Sequence, residues 1–496
     1  MAGLPAAGGT QGMRIGIDFG TSYSAAGAVV DGALELVRFG GDTQFRTTVF
    51  FPQRQPDLAA FALTPALERE VERLVAAGRR ERAAQSERVR QARDEAMRMP
   101  PDRREAALTM LPRELVRSDD ELRRDALAAV RRAWADGQRG LAGEAGLDMA
   151  NALYGEEGVD AYIASGNGQL VVSPKSMLGY RLHGQARDSL LGITTHILRH
   201  IRETACRQYG VEVDAAVLGR PVEFRSSMGD AGGAQALAIL RESARAAGFE
   251  TVDFLQEPAA AALGHHRGQA RVRRTLVVDV GGGTTDVALA DAGGDAPAPR
   301  VLAAWGLPQG GTDVDIDLSM REFMPLLGKD VTRTPVHCYY EAAAVHDVER
   351  QRSFRRAAFD GVPAPYAARL ARLRQGGGTV RLNREVEAAK IRLSRDATTA
   401  IALDYLEPGL SLALARPALD EAAARFLAAL RALLRTVDAG LERPPEVLYL
   451  TGGMSRAPYV VDVATATFPD AELAVGNASL GVVGGLALAA AAQRHG

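Results

Sequence analysis

At 496 residues the chain is long enough for two to four domains, on a prior of roughly 100–200 residues each. Hydrophobic residues make up 47% and charged residues 24%, the balance of a folded globular protein rather than a disordered one. A net charge of −2 gives no general reason to bind nucleic acid or an anionic membrane, no apolar run approaches the ~18 residues of a membrane span, and two cysteines, Cys206 and Cys338, exclude a disulfide scaffold or a cysteine-rich zinc site. The start, MAGLPAAGGTQG, lacks the basic and apolar segments of a secretory signal, so residues 1–12 read as a flexible extension and a reducing cytoplasm is the expected compartment.

Three short apolar runs separated by Gly- or Asp-containing turns predict strands over 14–19, 24–30 and 34–39. From 64 to 136 the chain turns Arg-, Glu- and Ala-rich, with Leu67, Val71 and Leu74 at helical spacing. Thr64-Pro65 starts one helix, Pro100-Pro101 breaks the pattern, and Ser118 with Glu121 makes a capping box for a second. The segment reads as a charged helical hairpin, and the mixing of Glu and Asp into its Arg-rich stretch 79–104 predicts a solvated face rather than a nucleic-acid stripe. An α/β pattern follows: strand 170–173, helix 186–208, strand 214–219, helix 231–247, strand 251–255, and a helix opened by Pro258. Strands 275–280 and 285–290 form a hairpin, 315–405 reads as mostly helical, and helix 417–438, strand 446–450 and a small-residue helix over 480–493 complete the chain. His265-His266 reads as a solvated pair at a helix end, and Cys338 as a core residue.

IDFGTSYSAAGAVV (17–30) and VDVGGGTTDVALAD (278–291) share one plan: an apolar strand with an Asp near its end, a Gly-rich turn carrying Thr, then a second apolar strand. Two such hairpins suggest two similar halves facing a cleft. Gly-rich turns let backbone amides converge on an anion, and Thr21, Ser22, Thr284 and Thr285 add hydroxyl donors. The acids Asp18, Asp279 and Asp286 beside these turns would repel phosphate unless a cation lay between, a task that suits Mg²⁺ held largely through water. No G-x-x-x-x-G-K-[ST] occurs, so this is not a P-loop protein, and GGGTTD neither spells G-x-G-x-x-G nor opens a helix, which disfavours a dinucleotide fold. Only three of the 59 basic residues are lysines, Lys175, Lys329 and Lys390, so a role needing an ammonium has three candidates.

The hairpin pair followed by QEPAAAALGH (256–265), PQGGTDVDI (308–316) and LTGGMSRAPYV (450–460), in this order, resembles the ATPase domain of the heat-shock-70 (DnaK) chaperones, over roughly residues 13–496. SPKSMLG (173–179), LGRPVEF (218–224) and MPLLGK (324–329) fit its YegD-like branch better than DnaK itself. The resemblance implies an α/β actin-like (ribonuclease H-like) fold of two lobes around a nucleotide cleft. Lobe I would span 13–272, with an inserted subdomain about 42–179 that contains the helical hairpin, and be completed by about 476–496. Lobe II would span 273–475, with an inserted helical subdomain about 310–409.

The resemblance also implies roles. Asp18 and Asp279 would hold the water shell of Mg²⁺, with Asp286 nearby. Gly20, Thr21, Ser22 and Tyr23 would wrap the phosphates of ATP or ADP from one lobe, and Gly281, Gly282, Gly283 and Thr284 from the other. Lys175 would reach the γ-phosphate and Glu257 would stand near the attacking water, with Thr284 and the two aspartates completing the catalytic set. Gly310 and Gly311, then Glu387, Lys390 and Ser394 on one helix face, and Gly452, Gly453, Met454 and Arg456, would hold the rest of the nucleotide. Here the sequence departs from the family: Ile391 replaces an arginine, Met454 a serine, and Ser479 an acid, which alters the base pocket. The expected function is slow Mg²⁺-dependent ATP hydrolysis coupled to lobe closure. The alternatives are a nucleotide sensor without useful hydrolysis, a small-molecule kinase, or a filament-forming actin relative. The chain stops at Gly496 with no β-rich peptide-binding domain, so the expectation is that a partner in trans or the helical insertion meets a client, or that the protein is not a foldase.

Overall fold

The computed structural model describes residues 12–53, 61–101, 103–104, 108, 117–142, 147–476 and 480–493, with 136–142 described by backbone alone. The expected terminal extension, apart from Gly12, and Ser479 lie outside the described residues. The chain divides into a small unit, Pro52–Ala150, and a large one, Met1–Phe51 with Asn151–Gly496.

The small unit is built on two helices, α1 (Pro65–Met97) and α2 (Asp119–Ala142). Thr64 Oγ1 accepts from the Leu67 amide to cap α1, and Ser118 and Glu121 exchange reciprocal bonds at the start of α2 (3.2 and 2.7 Å). Val71 shares a core with Val130, and Arg82 pairs with Asp119, so the helices run antiparallel. The predicted hairpin 64–136 is therefore present in kind, but its second helix continues six residues further, to 142. Arg73, Arg79, Arg82 and Arg90 pair with Glu70, Asp119 and Glu87 on the surface.

In the large unit, β1 (Met13–Phe19) forms an antiparallel hairpin with β2 (Tyr23–Val30), which pairs with β3 (Ala33–Leu36) and with β4 (Phe45–Arg46). The predicted strand 34–39 is corrected to 33–36: Phe39 leaves the sheet to bridge Asp42. A second small sheet of β5 (Thr48–Phe51), β6 (Leu153–Tyr154) and β7 (Gln169–Val172) packs against α3 (Gly155–Ser165). Helix α4 (Gln185–Tyr209) leads to β8 (Val213–Arg220), parallel to β1, and α5 (Asp230–Ala246) leads to β9 (Thr251–Gln256), parallel to β8. The first large sheet thus has the order β3-β2-β1-β8-β9.

After α6 (Glu257–His266) the plan repeats. Strands β10 (Arg273–Val280), β11 (Thr285–Ala292) and β12 (Arg300–Leu307) form an antiparallel meander. A helical excursion follows: α7 (Gly311–Leu318), α8 (Val336–Ala343), α9 (Val348–Arg356), α10 (Tyr366–Arg374) and α11 (Gly378–Leu393). The predicted helical stretch 315–405 ends instead in a strand, since β13 (Thr398–Ala402) pairs with β14 (Ser411–Ala415). Helix α12 (Arg416–Ala439) then leads to β15 (Val447–Thr451), and α13 (Pro458–Thr467) to β16 (Glu472–Val475), giving the sheet order β12-β11-β10-β15-β16. The two sheets match strand for strand, as the paired motifs suggested. Their strands bordering the antiparallel meander, β8 and β15, are apolar and buried through 215–219 and 447–450, because both faces are covered.

The last helix, α14 (Gly481–Ala492), returns to lie on β1, β2 and α6. The approach is so close that a Cβ on Gly485 would fall 1.7 Å from the Ala260 carbonyl oxygen. Helix α6, buried through Ala259–Ala262, touches β8 and β9 on one side and β10 and β11 on the other. Its terminal histidines are not the solvated pair expected. His266 is buried, accepting at Nδ1 from the Gly293 amide and donating from Nε2 to the Ala296 carbonyl (both 2.7 Å), and His265 stacks on Tyr449 at 4.4 Å. Cys338 is buried as expected, which pushes its thiol pKa up.

Candidate functional site

The β1–β2 and β10–β11 turns lie side by side. A Cβ on Gly282 or Gly283 would strike the Ser22 or Thr21 hydroxyl, at 2.1 and 2.6 Å. The second turn is braced from behind. Its Gly281 and Gly282 carbonyls accept from the amides of Gly311 and Thr312 (3.0 and 2.8 Å), and its Gly283 carbonyl from Arg225 (2.7 Å). The amides of Gly282 and Gly283 themselves have no protein acceptor among the described residues, which leaves donors free at the turn.

Both turns open on a cavity of about 220 Å³. Of the residues named from sequence, Asp18, Gly20, Thr21, Ser22, Tyr23, Lys175, Glu257, Asp279, Gly281, Gly282, Gly283, Thr284, Gly311, Glu387, Lys390, Gly452, Gly453 and Met454 all line it. Asp286 lies beneath the wall, its Oδ1 accepting from the Val222 amide at 2.5 Å. Gly310, Ser394 and Arg456 do not line the cavity. Gly310 instead donates to Asp313, and the Ser394 hydroxyl folds back onto the Lys390 carbonyl (2.8 and 2.9 Å).

Lys175 sits in a single 3₁₀ turn, Pro174–Met177, that follows β7. Ser173, just before it, adopts φ +53°, a left-handed conformation costing a non-glycine residue about 1–2 kcal/mol. This turn carries the ammonium inward to Glu257, the first residue of α6, at 2.5 Å. Both are buried. Burial works to lower the Lys175 pKa, but Glu257 and Asp18 outweigh it and raise it, so the lysine is charged. The aspartates move the other way. Burial first, and Glu257 second, raise Asp18 and Asp286 to about 7, and the same causes raise Asp279 well above its usual range. The cluster holds four carboxylates against one ammonium, an excess of negative charge that protons or a cation must offset. Among the described residues no group of three or more His, Cys, Asp or Glu is placed to hold a metal directly. A cation here would therefore keep water and borrow ligand oxygens, as Mg²⁺ does beside phosphates.

At the other end of the cavity, Lys390 pairs with Asp315 at 2.8 Å and also donates to the Gly311 carbonyl at 3.3 Å. Burial raises Asp315 to about 6 against the pull of Lys390, and its Oδ1 is buried without a partner among the described residues. Glu387 is held by Arg46 at 2.7 Å, and Arg46 also bonds Glu156 at 2.6 Å and covers the Tyr23 ring. Arg384 reaches Asp160 (2.6 Å) and Glu156 (3.3 Å), and Val380 packs with Phe50, Val159 and Tyr162. Helix α11 is thus latched to α3 and its sheet across the mouth of the cavity. Ile391 lines the cavity and is 47% exposed.

Arg46, Asp315, Thr312, Gln44 and Val482 belong to the site but were not singled out from sequence. Asp315 had a signal, an acid inside the apolar VDIDL turn of α7. Arg46 had none, because its partners are 110 and 341 residues away.

Comparison with known proteins agrees with this topology. A family described as MreB/Mbl protein matches residues 191–303. The chaperone protein dnaK3 of Synechocystis sp. is 29% identical over 279 residues, 54% of this chain and 30% of that protein. The chaperone protein DnaK 1 of Synechococcus sp. is 33% identical over 145 residues (28% of this chain, 18% of that protein), and the chaperone protein DnaK of Trichormus variabilis 31% identical over 145 residues (28% and 20%). The chain spans less than a third of the length of these curated relatives. It has the actin-like fold of the heat-shock-70 ATPases. No described helix is long and apolar enough to cross a membrane.

Proposed function

We propose that the cavity is a nucleotide cleft, that it binds ATP with Mg²⁺, and that it hydrolyses ATP slowly while lobe I (13–272 with 476–496) and lobe II (273–475) close on each other. The observation that carries this reading is the meeting of two glycine turns, Lys175, Glu257, Asp18 and Asp279 on one cavity, with Asp286 directly beneath its wall, from segments as far apart as residues 18 and 286. Amides and hydroxyls of the two turns receive phosphate oxygens. Asp18 and Asp279, with Asp286 behind them, hold the water shell of Mg²⁺, which when bound supplies charge to offset the phosphates. Lys175 leaves Glu257 for the γ-phosphate, and the freed Glu257 carboxylate orients a water. Catalysis of this kind is positioning and electrostatics rather than covalent chemistry. Nucleotide held between Lys390, Glu387 and the 452–454 loop strengthens the α11 latch, and closure is the output to a chaperone-like or regulatory partner supplied in trans. SPKSMLG (173–179), LGRPVEF (218–224) and MPLLGK (324–329) support a relation to the YegD-like branch of the heat-shock-70 family.

A second reading is a nucleotide sensor with little turnover. It is favoured by Ile391 and Met454, which line the base end of the cavity with apolar surface and offer no guanidinium to stack on the base.

Single-turnover hydrolysis of labelled ATP at excess protein, with Mg²⁺ and with chelator, separates the two. Magnesium-dependent cleavage supports the ATPase, and tight binding without cleavage supports the sensor. In Lys175→Ala, nucleotide binding should persist while cleavage falls about 10²-fold or more, the usual loss for one transition-state donor. Unchanged cleavage in that variant refutes the role of Lys175.

A further inference from the structure

A second cavity, about 1130 Å³, opens beside the first and shares Tyr23 and Gln44 with it. One wall is a contiguous aromatic cluster. Phe39 and Phe45 lie 4.6 Å apart, Phe45 meets His200 edge-on at 5.4 Å, and His200 stacks on Tyr154 at 4.0 Å. All four line the cavity. At its rim stand Arg38 and Arg207. Arg38 donates to the Gly41 carbonyl and Arg207 to the Thr204 hydroxyl (3.3 and 3.0 Å), and neither has a carboxylate partner among the described residues. The acids in the same walls are Asp42, Glu156 and Glu157. Glu156 is taken by Arg46 and Arg384. The charges around the cluster are mixed, since burial and Glu203 raise the Tyr154 phenol whereas Arg207 acts on His200. Burial first, then the charge of Arg207, hold His200 down to about 4, and no carboxylate offsets them.

We infer that this cavity binds a planar aromatic or heteroaromatic anion, its ring against Phe39, Phe45 and Tyr154 and its charge taken by Arg38 and Arg207. Aromatic faces accept a flat ring in offset or edge geometry, and a guanidinium with free N–H groups takes a carboxylate or phosphate in a charge-assisted pair. Arg46 ties this site to its neighbour. Its guanidinium is held by Glu156 on one side and by Glu387, which lines the first cavity, on the other. A bound anion adds negative charge to the cavity that Arg46 and Glu156 both line and so alters the hold on Glu387. This coupling, unlike the binding itself, rests on the nucleotide reading of the first cavity.

The test is calorimetric titration of the full chain with 2-naphthoate in the absence of nucleotide. One saturable site is expected, weakened at least about tenfold in the double variant Arg38→Ala/Arg207→Ala and unchanged in Lys175→Ala. Both arginines are exposed, so the double variant should melt with the wild type, and this is checked alongside. Absence of saturable binding at millimolar 2-naphthoate overturns the inference. So does equal binding of the cationic isostere 2-naphthylmethylamine, or a loss in Lys175→Ala equal to that in the arginine variant. Nucleotide affinity is then measured with and without saturating 2-naphthoate. A shift that vanishes in Arg46→Gln supports the coupling, and no shift removes it while leaving the site in place. Failure of the wild type to bind nucleotide at all would sink the nucleotide reading and leave the naphthoate result untouched.

Discussion

Removing the charge of Asp286 should stabilise the ligand-free protein, and more so at alkaline pH. Asp286 is 1% exposed. Burial and Glu257 raise its pKa from 3.8 to about 7, against the opposing hydrogen bonds from the Val222 amide and Thr284 and the charge of Lys175. That is about three pH units, or roughly 4 kcal/mol at ~1.4 kcal/mol per unit. The folded-state pKa lies above the unfolded one, so the folded chain holds the extra proton between 3.8 and about 7. Stability therefore falls as pH rises through that window and is lowest above it. Asp286→Asn keeps an oxygen for the Val222 amide and removes the charge. Asp18 and Asp279 share the same field, so about half of the full figure is expected: a gain of about 2 kcal/mol at pH 8 and about 1 kcal/mol at pH 5. At roughly 2–4 °C per kcal/mol this is a rise in Tm of about 4–8 °C at pH 8 and about half that at pH 5. Thermal melting in chelator without nucleotide, at both pH values, measures it. A gain no larger at pH 8 than at pH 5, or a loss at pH 8, would refute the claim that this carboxylate is ionised at a cost.

Other outcomes follow from the same geometry. Gly485→Ala should lower Tm by more than 5 °C, because its Cβ meets the Ala260 backbone and α14 cannot move away without leaving β1; a melt within about 2 °C of wild type would contradict the packing. Gly452 has φ +88° and a would-be Cβ 2.4 Å from Asp279 Oδ1, so Gly452→Ala should abolish detectable binding of a fluorescent ATP analogue; retained affinity would remove the 452–454 loop from the site. Arg46→Ala leaves Glu387 without its cation across the cavity mouth and should speed release of that analogue about tenfold in stopped flow. Arg384→Ala, whose pairs are more exposed, should change release less than threefold. Ser118→Ala should cost the small unit about 1 kcal/mol, read as loss of helical circular dichroism at lower temperature.

The two hairpins were legible because their chemistry is local: a strand, a glycine turn and a second strand fit within fourteen residues, and each copy carries the same order. The long helices were legible from apolar spacing and from caps such as Ser118–Glu121 and Pro258. Several short strands were not, although the edge strands β3 and β7 were. β12 carries Ala303 and Ala304 where alternation would mark a strand, and β13 to β14 follow a helix with no break residue stronger than Asp396. Within the site, Glu387 and Lys390 stand one turn apart on one face of α11 as read, and both line the cavity, but Ser394 one turn further has rotated onto its own helix. What sequence could not yield were pairings set by tertiary contact: Lys175 with Glu257, Lys390 with Asp315, and Arg46 between Glu156 and Glu387. The histidines 265 and 266 were misread for the same reason, since the groups that meet them arrive from the β11–β12 turn and from β15.

The return of α14 to β1 sets an order on how the polypeptide is made. A chain emerging from the ribosome presents β1 and β2 long before α14, so the apolar face that α14 covers stays open until the roughly 450 residues between Val30 and Gly481 have been joined. Contacts of such sequence separation close slowly, because the whole intervening loop must first lose its freedom. The second large sheet, with β10 to β16 contained within about two hundred residues, has no such wait. It is the half that can consolidate during synthesis, while the first sheet must be shielded or remain loose until α14 has emerged.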